Sequence, residues 1–184
     1  FAQWDQRLEA RIGAAMLSIQ AIKGVEIGPA FENSRLPGTR VQDAIYLSGE
    51  HLVRRTENDD TNGPRSGGLE GGITNGEPLV VRAAMKPIAT TLTPQPTVDL
   101  ASGQESPMRY ERSDFCPVPR AVPILESMLA IVLADALLEK LGGDSMAEIM
   151  PRFNALRQAR LDDISMGKEA HIFWPAQPGP GEES

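Results

Sequence analysis

The residues best suited to bind a ligand lie between Ser66 and Thr91. Five glycines stand within Ser66–Gly76, which we call the glycine stretch, and a strand ending at Lys86 follows it. Glycine lets backbone amides approach a ligand closely, and successive amides can form concave anion sites. A lysine and the hydroxyls of Thr90 and Thr91 add the kind of donors that a phosphate needs. The pattern predicts either the binding surface of a phosphorylated ligand or a loop that merely joins strands.

The strand after the glycine stretch places two cations on one face. Side chains alternate along a strand, so Arg82 and Lys86 point the same way, among small or apolar neighbours. A bound phosphate or carboxylate would neutralise this pair, and two solvated charges on an exposed face are the alternative. Arg112 and Asp114 would also share a direction if their segment is extended, although exposed pairs of this kind are common.

Helical patterns flank these residues on both sides. Apolar residues at three- and four-residue steps predict one buried helical stripe, formed by Trp4, Leu8, Ile12, Ala15 and Ile19. Residues 121–141 predict a long helix that is apolar on nearly every face and therefore buried between layers. A capping box at Ser145–Glu148 opens another helix, in which Pro151 should cause a kink or a delayed start.

Short strands predict an α+β fold with mostly antiparallel sheet packed on long helices. The expected strands are residues 25–28, a hairpin of 44–47 with 51–53, residues 97–100 and a returning strand at 108–110. Residues 29–65 are polar, which predicts a mobile flap beside the glycine stretch or, alternatively, disorder. Residues 1–175 form part of a single domain, and 176–184 have the composition of a disordered tail.

Composition narrows the function classes. The net charge of −7 argues against nucleic-acid binding and makes any anion site depend on a local basic cluster. Cys116 is the only cysteine, which fits a reducing cytoplasm, and we expect no signal peptide and no metal site. Pro123, Glu126 and Asp135 interrupt the most apolar segment, so no membrane span is expected. The chain begins without Met inside an amphipathic pattern, which suggests part of a longer protein.

Four blocks of sequence together resemble one known family. They are Ser18–Gly28, Ser66–Gly76, Ala84–Ile88 and the segment from Arg112 to Met128, in that order. The chain resembles the C-terminal half of chorismate synthase. The resemblance implies a β-α-β sandwich, a homotetramer and a 1,4-elimination of phosphate from 5-enolpyruvylshikimate 3-phosphate. That reaction gives chorismate, the precursor of the aromatic amino acids, in the shikimate pathway. It implies reduced FMN as cofactor, with NADPH as a candidate source of the reduction.

The resemblance also assigns residues. The flavin set, as we call it, consists of Gln20, Ala21, Gly71, Lys86, Pro87, Ile88, Ala89, Thr90 and Arg112. Lys86 and Thr90 would bind the phosphate side of the flavin, and Arg112 would lie between FMN and the anionic substrate. Asp114 matches a family acid near the flavin N5 and would be catalytic, tuning or taking a proton there.

Some family features are absent from this sequence. Two family histidines that act in acid–base chemistry lie in N-terminal motifs not found here, and neither His51 nor His171 matches them. The chain alone is therefore expected to be an incomplete enzyme that needs the missing N-terminal half. Two alternatives stay open, namely a noncatalytic module that binds flavin or phosphate, and a structural half whose long apolar helix serves assembly.

Overall fold

A computed structural model describes residues 3–55, 64–89, 91–111 and 116–157, together with 160 and 163. Its helices are α1 Leu8–Leu17, α2 Ala30–Asn33, α3 Val118–Leu141 and α4 Met146–Asn154, with a 3-10 turn at Gly38–Arg40. Its strands are β1 Ile22–Ile27, β2 Ala44–Ser48, β3 His51–Arg55, β4 Leu69–Glu70, β5 Ile73–Thr74, β6 Val81–Met85, β7 Pro96–Asp99 and β8 Gln104–Pro107. Among these strands the pairs are β1–β6, β2–β3, β4–β5 and β7–β8, all antiparallel. The predicted α+β class is confirmed.

Helix α1 carries the hydrophobic core. Leu8, Ile12 and Met16 recur every four residues, lie on one face of the helix and are buried with Leu69 of the glycine stretch. Trp4 was predicted on the same stripe, but it lies ahead of the helix and is 79% exposed. The periodicity was therefore right from Leu8 onward and wrong before it, because the helix begins at Leu8.

Helix α3 packs along α1. Arg11 of α1 reaches two acids of α3, forming an ion pair with Asp135 and another with Glu139 at 3.0 Å. The α3 residues that pack against the core are half-buried, namely Leu125, Met128, Leu129, Val132, Leu133 and Ala136. Helix α1 thus lies between β1 and α3, and it joins the sheet to the long helix.

The opposite face of α3 is apolar and exposed. Its exposed residues include Ile124, Ile131 and Leu138, each 52–62% exposed. The prediction that α3 is buried between layers is wrong for the described residues, since these cover one side only. By length and a mean hydropathy of 2.0 the helix would suffice to cross a membrane, contrary to the expectation from its interruptions. A core helix of a soluble protein meets the same criterion.

The predicted hairpin within residues 29–65 is confirmed. β2 and β3 pair from Ala44–Arg55 to Ser48–His51 and turn through Gly49 and Glu50, with φ of 62° at Gly49. Two expected boundaries elsewhere differ. The returning strand is β8 and not 108–110, and α4 begins directly after Ser145 and runs through Pro151 without delay.

These differences have local causes. Asp99 accepts a hydrogen bond from the amide of Ala101 at 2.9 Å and one from the Ser102 hydroxyl at 2.9 Å. These two bonds close the turn early, so strand pairing resumes at Gln104. The same bonds hold the pKa of Asp99 below its ordinary value.

In α4, Pro151 lacks an N–H group and therefore removes only one hydrogen bond from a helix that has already begun. The mobility of residues 29–65 stays a prediction, and residues 176–184 lie outside the described residues.

Candidate functional site

The end of the β1–β6 sheet brings two segments of the flavin set together. The amide of Lys86, directly after β6, donates a hydrogen bond to the carbonyl of Ala21 at 2.8 Å. Gln20 and Ala21, directly before β1, therefore lie beside the run from Lys86 to Ala89. We call this group the sheet corner. Gln20, Lys86 and Ala89 are exposed there, so their side chains are open to a ligand.

Ala21 has an unusual backbone at this corner. Its φ is +71°. Among the described residues, Ala21 is the only residue other than glycine that has a positive φ. This conformation costs an alanine roughly 1–2 kcal/mol. It turns the chain from the end of α1 into β1 and directs the Ala21 carbonyl at Lys86. Strained backbone of this kind concentrates at ligand sites, which favours a functional role for the corner.

The ammonium of Lys86 makes no ion pair or side-chain hydrogen bond among the described residues, and its side chain is exposed. It can therefore bind an anion without first breaking an internal contact. Thr91 is different, because its hydroxyl donates to the carbonyl of Thr93 at 2.7 Å. Lys86 has no partner among the described residues, and it lies beside exposed backbone and the amide side chain of Gln20. These groups supply the donors that a flavin phosphate requires, so the residues of the sheet corner fit FMN.

Arg82 lies on the same strand but has a different partner. Its Nη1 is 2.9 Å from Oε1 of Glu26, the residue directly opposite it in the β1–β6 register. The other Glu26 oxygen accepts the amide of Phe31 at 3.0 Å. The sequence left open a ligand anion or solvent as the partner of Arg82, and the structure adds a third partner, a carboxylate of the protein across the sheet. The side chain of Arg82 is still 58% exposed, as the alternative of solvated charges on an exposed face expects.

We expect Arg82→Gln to leave FMN affinity within about twofold, because cross-strand ion pairs contribute roughly 0.2–1 kcal/mol to stability and Arg82 is paired within the protein. The measurement is quenching of flavin fluorescence on titration with protein, with urea unfolding as the stability readout. A tenfold loss of FMN affinity in a protein of unchanged stability would show that Arg82 binds the ligand.

Two glycines of the glycine stretch, Gly67 and Gly68, serve packing. A Cβ on Gly67 would lie 2.3 Å from the amide nitrogen of Gly28, and one on Gly68 would lie 2.5 Å from the carbonyl oxygen of Pro78. Val80 also donates to the Gly67 carbonyl at 3.0 Å. These glycines therefore allow backbone to pack directly on backbone, which is a structural use and not a cradle for a ligand.

Gly71 differs from these glycines. Its φ is +61°, it is exposed, and a Cβ at this position would meet nothing within 4 Å. It lies at the tip of the β4–β5 hairpin, where the next carbonyl, that of Gly72, accepts the amide of Leu8 at the start of α1. The sheet corner follows the opposite end of α1, and a helix of this length spans about 15 Å. The structure thus does not place Gly71 at the corner.

The remaining members of the predicted site are not located by the structure. Thr90, Arg112 and Asp114 lie outside the described residues, so their assignments stay predictions. Pro87 is exposed and Ile88 is half-buried, both within the sheet corner.

The family model for chorismate synthase matches residues 2–138. The chain belongs to the chorismate synthase family. The family resemblance seen in the four sequence blocks is thereby confirmed, and chorismate synthases are lyases of aromatic biosynthesis.

Curated relatives named chorismate synthase agree. The protein of Chlorobaculum tepidum is 49% identical over 159 residues, which is 86% of this chain and 38% of that protein. The protein of Thermus thermophilus is 52% identical over 155 residues, covering 84% of this chain and 39% of its own length. A solved crystal structure of chorismate synthase is 47% identical with a TM-score of 0.61, covering 83% of this chain and 36% of that one. The chain thus spans less than two fifths of the chorismate synthases it matches.

Sequence reasoning missed two buried charged residues next to the glycine stretch. Asp43 is 8% exposed and Arg65 is 6% exposed. Both stand singly in a polar segment without periodicity. Their partners lie more than 20 residues away in the sequence, so no local pattern could have identified them.

Proposed function

We propose that this chain forms the FMN-binding part of a chorismate synthase that converts 5-enolpyruvylshikimate 3-phosphate to chorismate by 1,4-elimination of phosphate. The observation that carries the proposal is the sheet corner. There a strained Ala21 and an exposed Lys86, whose ammonium has no partner among the described residues, are joined by one hydrogen bond of 2.8 Å, and both belong to the flavin set. Family membership supports this choice of ligand over other phosphates.

Several residues have a chemical task in this proposal. Reduced FMN, when bound, supplies an electron-rich ring that assists loss of the phosphate. Lys86 and Thr90 bind the flavin phosphate, and Gln20 orients the cofactor beside them. Arg112 presents a planar fork to the carboxylates or phosphate of the substrate, which stabilises the charge that grows on the departing phosphate. Asp114 receives or holds a proton next to the flavin N5.

We further propose that the rest of the same polypeptide completes the site. The chain matches 38% of the length of its Chlorobaculum relative, and the family histidines are absent from it. The exposed apolar face of α3 offers a surface for that remainder or for other subunits of a homotetramer. The single cysteine supports a cytoplasmic location, and NADPH is the proposed source of flavin reduction.

The second candidate function is an assembly module without catalysis, which the exposed face of α3 favours. One experiment separates the two. The complete polypeptide that contains this chain is incubated anaerobically with reduced FMN and 5-enolpyruvylshikimate 3-phosphate, and chorismate is detected by chromatography. Formation of chorismate supports the enzyme. Its absence in a protein that still oligomerises supports the assembly module.

We expect Lys86→Ala to raise the Kd for FMN at least about tenfold, because a charge-assisted hydrogen bond is worth about 1.5–3 kcal/mol. The measurement is fluorescence titration of the complete polypeptide with FMN. Arg35→Ala is the matched control, since Arg35 is also an exposed cation and follows α2, which comes after the opposite end of β1 from the sheet corner. Equal affinities of the Lys86→Ala variant and the unmodified protein would refute the role assigned to Lys86.

A further inference from the structure

A polar network connects the glycine stretch to the β2–β3 hairpin. It begins at Asp43, directly before β2, and ends at Arg54 within β3. None of its members was assigned to the flavin set. The network contacts the β2–β3 hairpin at both of its ends, at Asp43 and at Arg54. A shift of the hairpin would therefore also shift the glycine stretch.

Asp43 is the buried end of the network. Its Oδ1 accepts the amide of Arg65 at 2.8 Å, and its Oδ2 accepts the amide of Ser66 at 2.8 Å. A carboxylate that binds two successive amides fixes the backbone at that point, and hydrogen bonds to a charged group are the strong kind. The two amides belong to the first residue of the glycine stretch and the residue before it.

The Arg65 side chain reinforces this anchor. Its Nη1 is 2.6 Å from Oε1 of Glu32 and 3.2 Å from Oδ1 of Asn33, both in α2. The Asn33 amide group in turn donates to the Arg65 carbonyl at 2.9 Å. The backbone of Arg65 is therefore bound on both sides, and little freedom remains for the chain entering the glycine stretch.

Ser66 connects Asp43 to the β4–β5 hairpin, whose tip contains Gly71. The Asn75 amide group donates to the Ser66 hydroxyl at 3.1 Å and to Oε2 of Glu70 at 2.8 Å. The same Glu70 oxygen lies 2.6 Å from Nε of Arg54 in β3. Glu70 directly precedes Gly71, so the network ends beside the glycine whose Cβ position is open.

We propose that Asp43 is a positioning residue for FMN. Through Ser66, Asn75 and Glu70 it holds the turn at Gly71 in the conformation that the cofactor contacts, and it couples that turn to the β2–β3 hairpin. This inference rests on the proposed function, because it takes Gly71 as part of the flavin set. Asp43 does not touch the reacting atoms, so its effect falls on cofactor binding and not on the chemical step.

The test uses the complete polypeptide and two readouts, the Kd for FMN and kcat at saturating FMN. Asp43→Ala is expected to raise the Kd at least about tenfold, since two hydrogen bonds to a charged group are lost, while kcat stays within twofold. A merely structural role would lower the amount of folded protein and leave the Kd of that fraction unchanged. Asp99→Ala is the matched control, because Asp99 also caps a backbone amide, in the separate β7–β8 hairpin.

Two further measurements keep the test decisive. If Asp43→Ala does not fold, Asp43→Asn retains one acceptor oxygen and is expected to raise the Kd severalfold. In the unmodified protein, FMN should slow hydrogen exchange of the β2–β3 amides as well as those of the glycine stretch. An unchanged Kd in the folded variants, or slowing confined to the glycine stretch, overturns the role of Asp43. Unmodified protein that binds no FMN overturns the proposed function itself.

Discussion

Gly67→Ala is expected to lower the free energy of unfolding by about 3 kcal/mol or more, the sum of left-handed backbone strain and overpacking. The added Cβ would lie 2.3 Å from the Gly28 nitrogen and 2.7 Å from Cγ2 of Ile27, at a φ of +66°. The Gly28 nitrogen and the Gly28 Cα, which would be 2.8 Å away, are backbone atoms, so a rotamer change cannot relieve the collision. The measurement is the midpoint of urea unfolding, followed by fluorescence in the complete polypeptide.

Gly71→Ala is the matched control for this prediction. Its φ of +61° is close to that of Gly67, so both variants carry the same backbone strain of roughly 1–2 kcal/mol. Only Gly67 adds a collision, because the Cβ position at Gly71 is open. Equal losses of stability in the two variants would contradict the packing of Gly67 on Gly28. The assignment of Gly71 to the flavin set further predicts that Gly71→Ala weakens FMN binding.

This pair of glycines illustrates what the sequence could reveal about the site. Five glycines in eleven residues predicted close backbone approach, and that much is right. Composition could not distinguish approach to a ligand from approach to other backbone. The distinction depends on Gly28 and Pro78, which are brought to the stretch only by the fold.

Local periodicity predicted the elements better than their surroundings. Leu8 and Ile12 were placed in the core by a pattern that repeats every helical turn, and that pattern is a property of one segment. The burial of α3 was overestimated. An apolar helix needs another surface to pack against, but its sequence does not indicate which chain supplies that surface. The described residues cover the side that faces α1 and leave Ile131 and Leu138 exposed.

Charge pairing was the least predictable feature. Arg82 and Lys86 are both exposed, yet Arg82 forms an ion pair, whereas Lys86 has no partner among the described residues. The difference depends on the register of β1 against β6, which sets Glu26 opposite Arg82. A single sequence does not specify that register, so Lys86 could be singled out only by its resemblance to the family.

Asp114→Asn is expected to reduce kcat of the complete polypeptide about 100-fold or more and to leave the Kd for FMN within about threefold, because general acid–base catalysis contributes roughly 10²–10⁴-fold. The substitution keeps the size of the side chain and removes its ability to receive or hold a proton at the flavin N5. In the proposed site Lys86 binds the phosphate side of FMN, which the substitution leaves unchanged, so binding and turnover should separate.

The measurement compares chorismate formation at saturating reduced FMN and substrate with fluorescence titration of FMN in the same preparations. Asp144→Asn is the matched control, since Asp144 is an exposed acid in the turn between α3 and α4 and is not a member of the flavin set. The pH profile adds a readout that a structural role would not change. If Asp114 takes up a proton during turnover, kcat of the unmodified protein falls at low pH, and the Asn variant does not show this fall. Normal turnover, or a loss of turnover fully explained by weaker FMN binding, would remove Asp114 from the chemical step and leave the acid–base work to residues outside this chain.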